Sequence, residues 1–177
     1  MEIASFPADE AATLDGMVMR VTTVTAFFMV CCTKPAPDTA TETSAGLQCA
    51  TPVGFCNGTL TRADTLTHES MDHHDADGTT LIIQSVTVAP EYRRRGVATH
   101  MLRQYILYVR HQRPEISKTL LICKKHLIAF YQSCGFTYEG ESPIVHGQDT
   151  WHTMSMEDMT APPMPEGGVD AYVPVGV

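Results

Sequence analysis

Arg93, Arg94, Arg95, Gly96, Val97 and Ala98 have the residue types and order of an anion cradle. Ahead of them, residues 81–88 (LIIQSVTV) are apolar and β-branched and read as a strand. Behind them, residues 99–110 carry apolar side chains at helical spacing. A strand feeds a glycine-containing turn, and the turn opens a helix. Backbone N–H groups at a helix start have no intrahelical partner and carry the positive end of the helix dipole. Phosphates bind there readily. Gly96 and Ala98 lack bulk, so a diphosphate could approach the backbone closely. The spacing predicts a site for a phosphate-bearing cofactor.

Other reactive side chains are weaker candidates. His73 and His74 lie on a connection that could approach the site, or form a solvated surface pair. His126 precedes a helix and could lie near the cofactor, or simply start that helix. His100 faces away from the apolar stripe of its own helix and reads as a surface residue. Lys124 and Lys125 could contact phosphate, or stand in solvent. Arg93 could belong to the cradle or pair with Glu91. Ser85 is no triad serine, because no G-x-S-x-G turn surrounds it. The six cysteines, Cys31, Cys32, Cys49, Cys56, Cys123 and Cys134, include no C-x-x-C pair and lack zinc-site spacing. They read as free, mostly buried thiols in a reducing compartment.

The elements that must position these groups follow from the pattern. Residues 9–21 predict a short helix with Asp9 as its cap and Leu14, Met17, Val18 and Val21 on its apolar face. Residues 25–32 (TAFFMVCC) and 52–60 (PVGFCNGTL) predict a strand and its return, joined by a long polar loop over 33–51. Residues 61–78 read as a polar connection. The strand over 81–88 leads to a helix over 96–112, whose Val97, Met101, Leu102, Tyr105, Ile106 and Val109 repeat at three and four. Residues 118–123 (KTLLIC) are apolar without alternation, as in a strand covered on both faces. A helix over 127–134 ends at Gly135 as a left-handed cap. Strands are expected over 136–139 and 150–156. The order is helix, hairpin, strand, helix, strand, helix, strand, strand, which is α/β with a mixed sheet.

At 177 residues the chain suits one domain, here 1–160, with a Pro- and Gly-rich tail over 161–177 expected to be disordered. A net charge of −8 argues against nucleic-acid binding, and nothing extends the arginine triplet into a basic patch. An acidic surface mildly favours cationic substrates. Residues 1–10 are acidic and contain Pro7, unlike a secretory signal, and the apolar run 24–32 is too short to span a bilayer. No membrane partner and a cytoplasmic location are the expectation.

Three stretches occur together: R-R-R-G-V-A after a β-rich run, Leu121-Ile122-Cys123, and Phe130-Tyr131-Gln132-Ser133-Cys134-Gly135-Phe136. Jointly they resemble the GNAT superfamily of acyl-CoA-dependent N-acetyltransferases. Its Q/R-x-x-G-x-G/A signature is met by Arg93, Gly96 and Ala98, and its Y-x-x-x-G-F helix ending follows at suitable distance. Gly58-Thr59-Leu60, Leu66-Thr67-His68-Glu69-Ser70-Met71 and the ending from Val145-His146-Gly147 to Met154 look like the arylalkylamine (serotonin) N-acetyltransferase family. This likeness spans residues 52–158. It implies a GNAT fold with splayed central strands and a shortened amino-terminal part. It also implies acetyl-CoA as cosubstrate and a small primary amine as acceptor. Val86 and Val88 would offer backbone groups to the pantetheine arm. Arg94, Arg95, Gly96, Val97, Ala98 and Thr99 would cradle the diphosphate, and Tyr131 would stand beside the thioester sulfur.

Two departures stand out. Where the animal members carry two histidines as a proton path, this chain has Ile82 and Gln84. Ile82 cannot titrate, and Gln84 can only hydrogen-bond or hold a water. About two dozen residues precede the first strand, room for one helix where the fold usually has a strand and two helices. A homodimer, in which a second chain completes that end, stays open. Acetyl transfer needs the reactants held together, the carbonyl polarised, the ammonium (pKa roughly 10) deprotonated and the thiolate stabilised. A backbone N–H near Val86 is assigned to the carbonyl, Tyr131 as general acid to the sulfur, and Gln84 with an ordered water to the amine proton. A diamine or polyamine acceptor, and a non-catalytic acyl-CoA-binding module, are the alternatives.

Overall fold

The computed structural model describes residues 5, 10–33, 51–145 and 147–157. Helix α1 (Leu14–Thr22) leads through a 3₁₀ turn into β1 (Phe28–Cys32), and β2 (Pro52–Thr61) returns beside it. Then come α2 (His68–Asp72), β3 (Thr80–Val88), α3 (Val97–Gln112), β4 (Lys118–Lys124), α4 (Ile128–Ser133), β5 (Thr137–Glu141) and β6 (Trp151–Glu157). The strands form one mixed sheet in the order β1-β2-β3-β4-β6-β5, with only the β3–β4 pair parallel. The expected α/β class and GNAT-type arrangement are thus observed. Among the described helices none is long and apolar enough to cross a membrane.

Helix α3 packs on the sheet through Met101, Leu102, Tyr105, Ile106 and Val109, all buried as the periodicity predicts. The Tyr105 hydroxyl donates to the Phe27 carbonyl at 3.0 Å and ties the helix to the entry of β1. The main core lies on this face and includes Leu81, Ile83, Leu121, Tyr131 and Met154. A smaller cluster of Leu66, Ile82, Leu120 and Ile144 fills the opposite face. Gly135, with φ of +100°, ends α4 in the left-handed conformation expected of it.

Several boundaries differ from expectation. Helix α1 starts at Leu14, capped by Thr13, whose hydroxyl accepts from the Gly16 N–H; Asp9 lies outside the described residues. Its supposed inward face is not buried: Leu14 and Val18 are exposed. The strand expected from residue 25 begins at Phe28, because residues 25–27 form the 3₁₀ turn. The connection 61–78 contains α2, closed by a reciprocal Thr67–Ser70 capping box. The 33–51 loop and the 161–177 tail fall outside the described residues, apart from residues 33 and 51. Among the described cysteines, Cys56 and Cys123 are buried, Cys31 and Cys134 half-buried and Cys32 exposed, all as free thiols.

His74 belongs to the fold rather than to the site or the surface. Its Nδ1 accepts the Leu60 N–H at 3.1 Å and its ring packs on Phe27. Burial, then the nearby Arg113 charge, hold its pKa below the ordinary value, against a smaller opposing pull from Asp75. The unfolded chain therefore binds more protons in the window below about pH 6.5, where an unperturbed histidine titrates. Stability is expected to be flat above that window and to fall as pH drops through it toward the lower native pKa. In His74→Gln, which still offers Leu60 an acceptor, the denaturant midpoint should fall less between pH 7.5 and pH 5. An equal fall in both proteins would remove His74 as the cause.

Candidate functional site

The site begins where the sheet comes apart. Strands β3 and β4 pair only through Thr80–Lys118, Leu81–Thr119 and Ile82–Leu120, while β4 stays on β6 as far as Lys124 and β3 stays on β2 as far as Val88. The divergence starts beside a bulge. Asn57 pairs with Ser85 and Gly58 with Ile83, so Gln84 is the extra residue on β3. A side chain on Gly58 would meet the Ile82 carbonyl and the Tyr105 hydroxyl, each 2.8 Å from its Cβ, so this close approach requires glycine.

Beyond the bulge the backbone direction can be followed. The Ala89 N–H donates to the Val53 carbonyl at 2.8 Å. Successive residues in an antiparallel ladder turn their N–H and C=O to alternate sides. Val86 and Val88 therefore point theirs away from β2, into the gap left by β4. Arg93 confirms the direction, since its Nε donates to the Val88 carbonyl at 2.8 Å, while its Nη2 donates to Ser5 Oγ at 3.0 Å. Arg93 thus bonds this open edge, rather than Glu91.

At one end of the gap lies the arginine-glycine turn. Arg94 has φ of +59° and Gly96 has φ of +80°. A left-handed arginine is strained, at a cost of about 1–2 kcal/mol. Left-handed residues in a turn aim N–H groups into a concave array suited to anions. Gly96 caps α3 without a side-chain bond, and the first α-helical bond runs from His100 N–H to the Gly96 carbonyl. The N–H groups of Val97, Ala98 and Thr99 therefore open the helix without intrahelical partners. Arg94, Arg95 and Gly96 are exposed, and nothing stands within 4 Å of where a Gly96 Cβ would be.

At the other end lies a chamber of about 610 Å³ between α1, the segment before it, and the parted strands. Gln84, Val86, Cys123 and Tyr131 line it. Tyr131 sits on α4 with its ring edge-on to Phe130 and Phe136, at centroid distances of 4.8 and 5.8 Å. Burial pushes its pKa well above that of a free phenol, with the neighbouring Cys123, Cys56 and Cys134 adding to the rise. The hydroxyl therefore keeps its proton. Burial likewise raises the Cys123 thiol to about 11, so it is no thiolate nucleophile at neutral pH.

Gln84 is engaged on three sides. Its Nε2 donates to Thr59 Oγ1 at 3.0 Å and to the Met71 carbonyl at 2.8 Å. Its Oε1 accepts from Arg20 Nη2 at 3.3 Å, which leaves one oxygen lone pair. The bulge residue thus ties α1, β2 and α2 together over the chamber. Ile82 is buried in the smaller core cluster. His126 reaches the chamber rim from the turn before α4, whereas His73 and His100 are exposed and line no part of it.

Sequence reasoning missed an ionic group in the chamber wall. Lys124 is turned inward, donating to Glu10 and to Asp149 Oδ2 at 3.2 Å, with its ammonium 4.0 Å from the Trp151 ring centre. It is neither a solvated residue nor part of the arginine-glycine turn; Lys125 is the exposed one. Glu10 carried no local signal, since its partner is 114 residues away. Trp151, the only tryptophan of the chain, was the one available flag. No group of three or more His, Cys, Asp or Glu side chains among the described residues could hold a metal ion.

A parted mixed sheet, with a strand edge left unpaired by its neighbour between an open helix start and a partly open chamber, is the architecture of acyl-CoA-dependent transferases. Residues 42–136 match the Acetyltransferase (GNAT) family, and the chain belongs to it. Serotonin N-acetyltransferase of Mesocricetus auratus is 28% identical over 99 residues, covering 56% of this chain and 47% of that protein. The match thus spans about half the length of this curated relative. Among solved structures, the GphF GNAT-like decarboxylase in complex with isobutyryl-CoA superposes with a TM-score of 0.67 at 16% identity, covering 88% of this chain and 90% of that one. The loading GNATL domain of CurA from Lyngbya majuscula gives 0.65 at 14% identity, with 88% of each chain covered. At these identities the two structures speak to the fold.

Proposed function

We propose that the protein transfers the acetyl group of acetyl-CoA to a small primary amine of arylalkylamine type, by direct attack in a ternary complex. The observation that carries this reading is the parting of β3 and β4 after Ile82 and Leu120, which leads from the open start of α3 to a chamber containing Tyr131. In this reading residues Arg94 to Thr99 hold the diphosphate. The Val86 backbone and the Val88 N–H hold the pantetheine, and an N–H near Val86 polarises the carbonyl. Tyr131 donates toward the sulfur. The amine proton leaves through a water on the remaining lone pair of Gln84 Oε1. The serotonin N-acetyltransferase likeness supports an aromatic monoamine as acceptor. A polyamine is less well served, because among the described residues of the wall Glu10 and Asp149 are balanced by Lys124 and Arg20.

Thiol release from acetyl-CoA with tyramine, serotonin, spermidine or no amine tests the proposal. Release that requires tyramine or serotonin supports it. Thermal stabilisation by acetyl-CoA without release under any condition would leave a binding module instead. A second reading draws on Arg20, which lines the chamber beside Gln84 and would face a carboxylated acyl group. The structural neighbour GphF is a GNAT-like decarboxylase. Conversion of malonyl-CoA to acetyl-CoA and carbon dioxide, without amine, would favour that reading.

The proposed proton path fixes a pH dependence. With no titrating base in contact with the amine, kcat/KM should follow the free-amine fraction of the substrate. It should rise about tenfold per pH unit from pH 6 toward the ammonium pKa of roughly 10. A break in that rise would instead give the proton to a side chain of the chamber wall, which His68 and His126 both line.

A further inference from the structure

The group formed by Lys124, Glu10, Asp149 and Trp151 is a cation cage that already holds a cation. Lys124 ends β4, and Trp151 is its register partner on β6. Glu10 comes from the segment before α1, and Asp149 from the loop before β6. Three parts of the chain therefore converge on one ammonium. The Glu10 and Lys124 side chains are only 3% and 16% exposed. Removing such charges from water is costly unless each meets a partner, and here the ammonium meets two carboxylates and an indole face. Burial by itself would lower the Lys124 pKa, but the hydrogen bonds to Glu10 and Asp149 outweigh it and hold the group charged. A lysine kept protonated is no nucleophile. All four residues line the same chamber as Tyr131 and Gln84.

We infer that Lys124 is a specificity-determining residue: its ammonium fills a carboxylate–indole cage that would otherwise take the second ammonium of a diamine or polyamine, and so restricts the acceptor to monoamines. Two carboxylates and an aromatic face are the groups that recognise an alkylammonium from any source. With the tethered cation in place, Lys124 and Arg20 offset Glu10 and Asp149 among the described residues of the wall. Without it, Glu10 and Asp149 lose the ammonium they share, and a free ammonium gains what Lys124 now holds. This inference rests on the chamber being the amine site.

Lys124→Ala removes a propylammonium from the cage, so the matching probe is propylammonium chloride. It should raise the thermal midpoint of Lys124→Ala by several degrees relative to equal sodium chloride, and leave the wild type unmoved. Spermidine should bind Lys124→Ala about tenfold or more tighter than wild type by calorimetry. The spermidine-to-tyramine ratio of kcat/KM should rise by a similar factor. Lys124→Arg should keep wild-type selectivity. The double variant Glu10→Gln/Lys124→Ala leaves no uncompensated buried carboxylate and should lose the propylammonium response. If Lys124→Ala does not fold alone, refolding with propylammonium should recover it. A folded Lys124→Ala without the propylammonium response, or with spermidine affinity equal to wild type, overturns the inference. Rescue and spermidine binding need no acyl donor. Absence of thiol release in the wild type would count against the acetyl-transfer reading, while rescue would still report on the cage.

Discussion

Gly96→Glu is expected to raise the dissociation constant for acetyl-CoA at least ~100-fold while leaving the protein folded. Gly96 has φ of +80°, and its surroundings are open to a Cβ. The fold therefore pays only for a non-glycine residue in the left-handed region, about 1–2 kcal/mol. A carboxylate at this helix end regains part of that through the dipole, about 0.3–1 kcal/mol. For the cofactor the same carboxylate is a rival anion. It stands at the first amides of α3, where the diphosphate is proposed to sit. Two unit charges about 4 Å apart repel by about 4 kcal/mol at the effective dielectric of a protein surface. That is more than enough for a hundredfold loss, at about 1.4 kcal/mol per tenfold. Gly96→Ala carries the strain without the charge and should bind acetyl-CoA within about tenfold of wild type. Calorimetry on the three proteins checks this. Equal affinity in wild type and Gly96→Glu would take the turn out of the cofactor site.

What was legible in the sequence was local. The stripe of α3 from Met101 to Val109 and the left-handed stop at Gly135 are written in neighbouring residues, and both are observed. The turn at Gly96 was legible because glycine next to a β-branched strand and an amphipathic helix admits few conformations. Non-local features were not readable. The bulge at Gln84 depends on how β2 and β3 register, which no local pattern in β3 encodes. The sequence therefore offered Gln84 only as a side chain able to hold a water, not as the point where the sheet begins to part. The Glu10–Lys124 pair joins residues 114 apart, and a charge alone does not say what it will meet. Short elements failed for another reason. Helix α2 has five residues, too few for a period, and only its Thr67–Ser70 capping box could have announced it. In α1 the apolar pattern was real but misleading. Leu14 and Val18 are exposed while Met19 and Arg20, both half-buried, line the chamber, so the inward side of α1 is set by the chamber beneath it.

Tyr131→Phe is expected to lower kcat by about a hundredfold with little change in acetyl-CoA affinity. The ring is held edge-on by Phe130 and Phe136, and phenylalanine keeps that packing. Only the hydroxyl is lost, and its raised pKa defines what it can do. A coenzyme thiol resembles a cysteine, with a pKa near 8.5, whereas burial lifts Tyr131 above the ordinary phenol value of about 10. Handing its proton completely to the thiolate would run uphill. The better role is a hydrogen bond that strengthens as charge gathers on sulfur, with the thiolate later taking a proton originating from the amine. A single donor of that kind, aimed at developing charge in a dry site, contributes about 10²–10³ in rate. Because the sulfur of bound acetyl-CoA is nearly neutral, ground-state affinity should barely move, and kcat and kcat/KM should fall together. A donor with a less reactive thiol leaving group should suffer more from the substitution, and one with an activated leaving group less. Turnover of Tyr131→Phe equal to wild type, or a loss confined to KM for acetyl-CoA, would remove the phenol from the reaction.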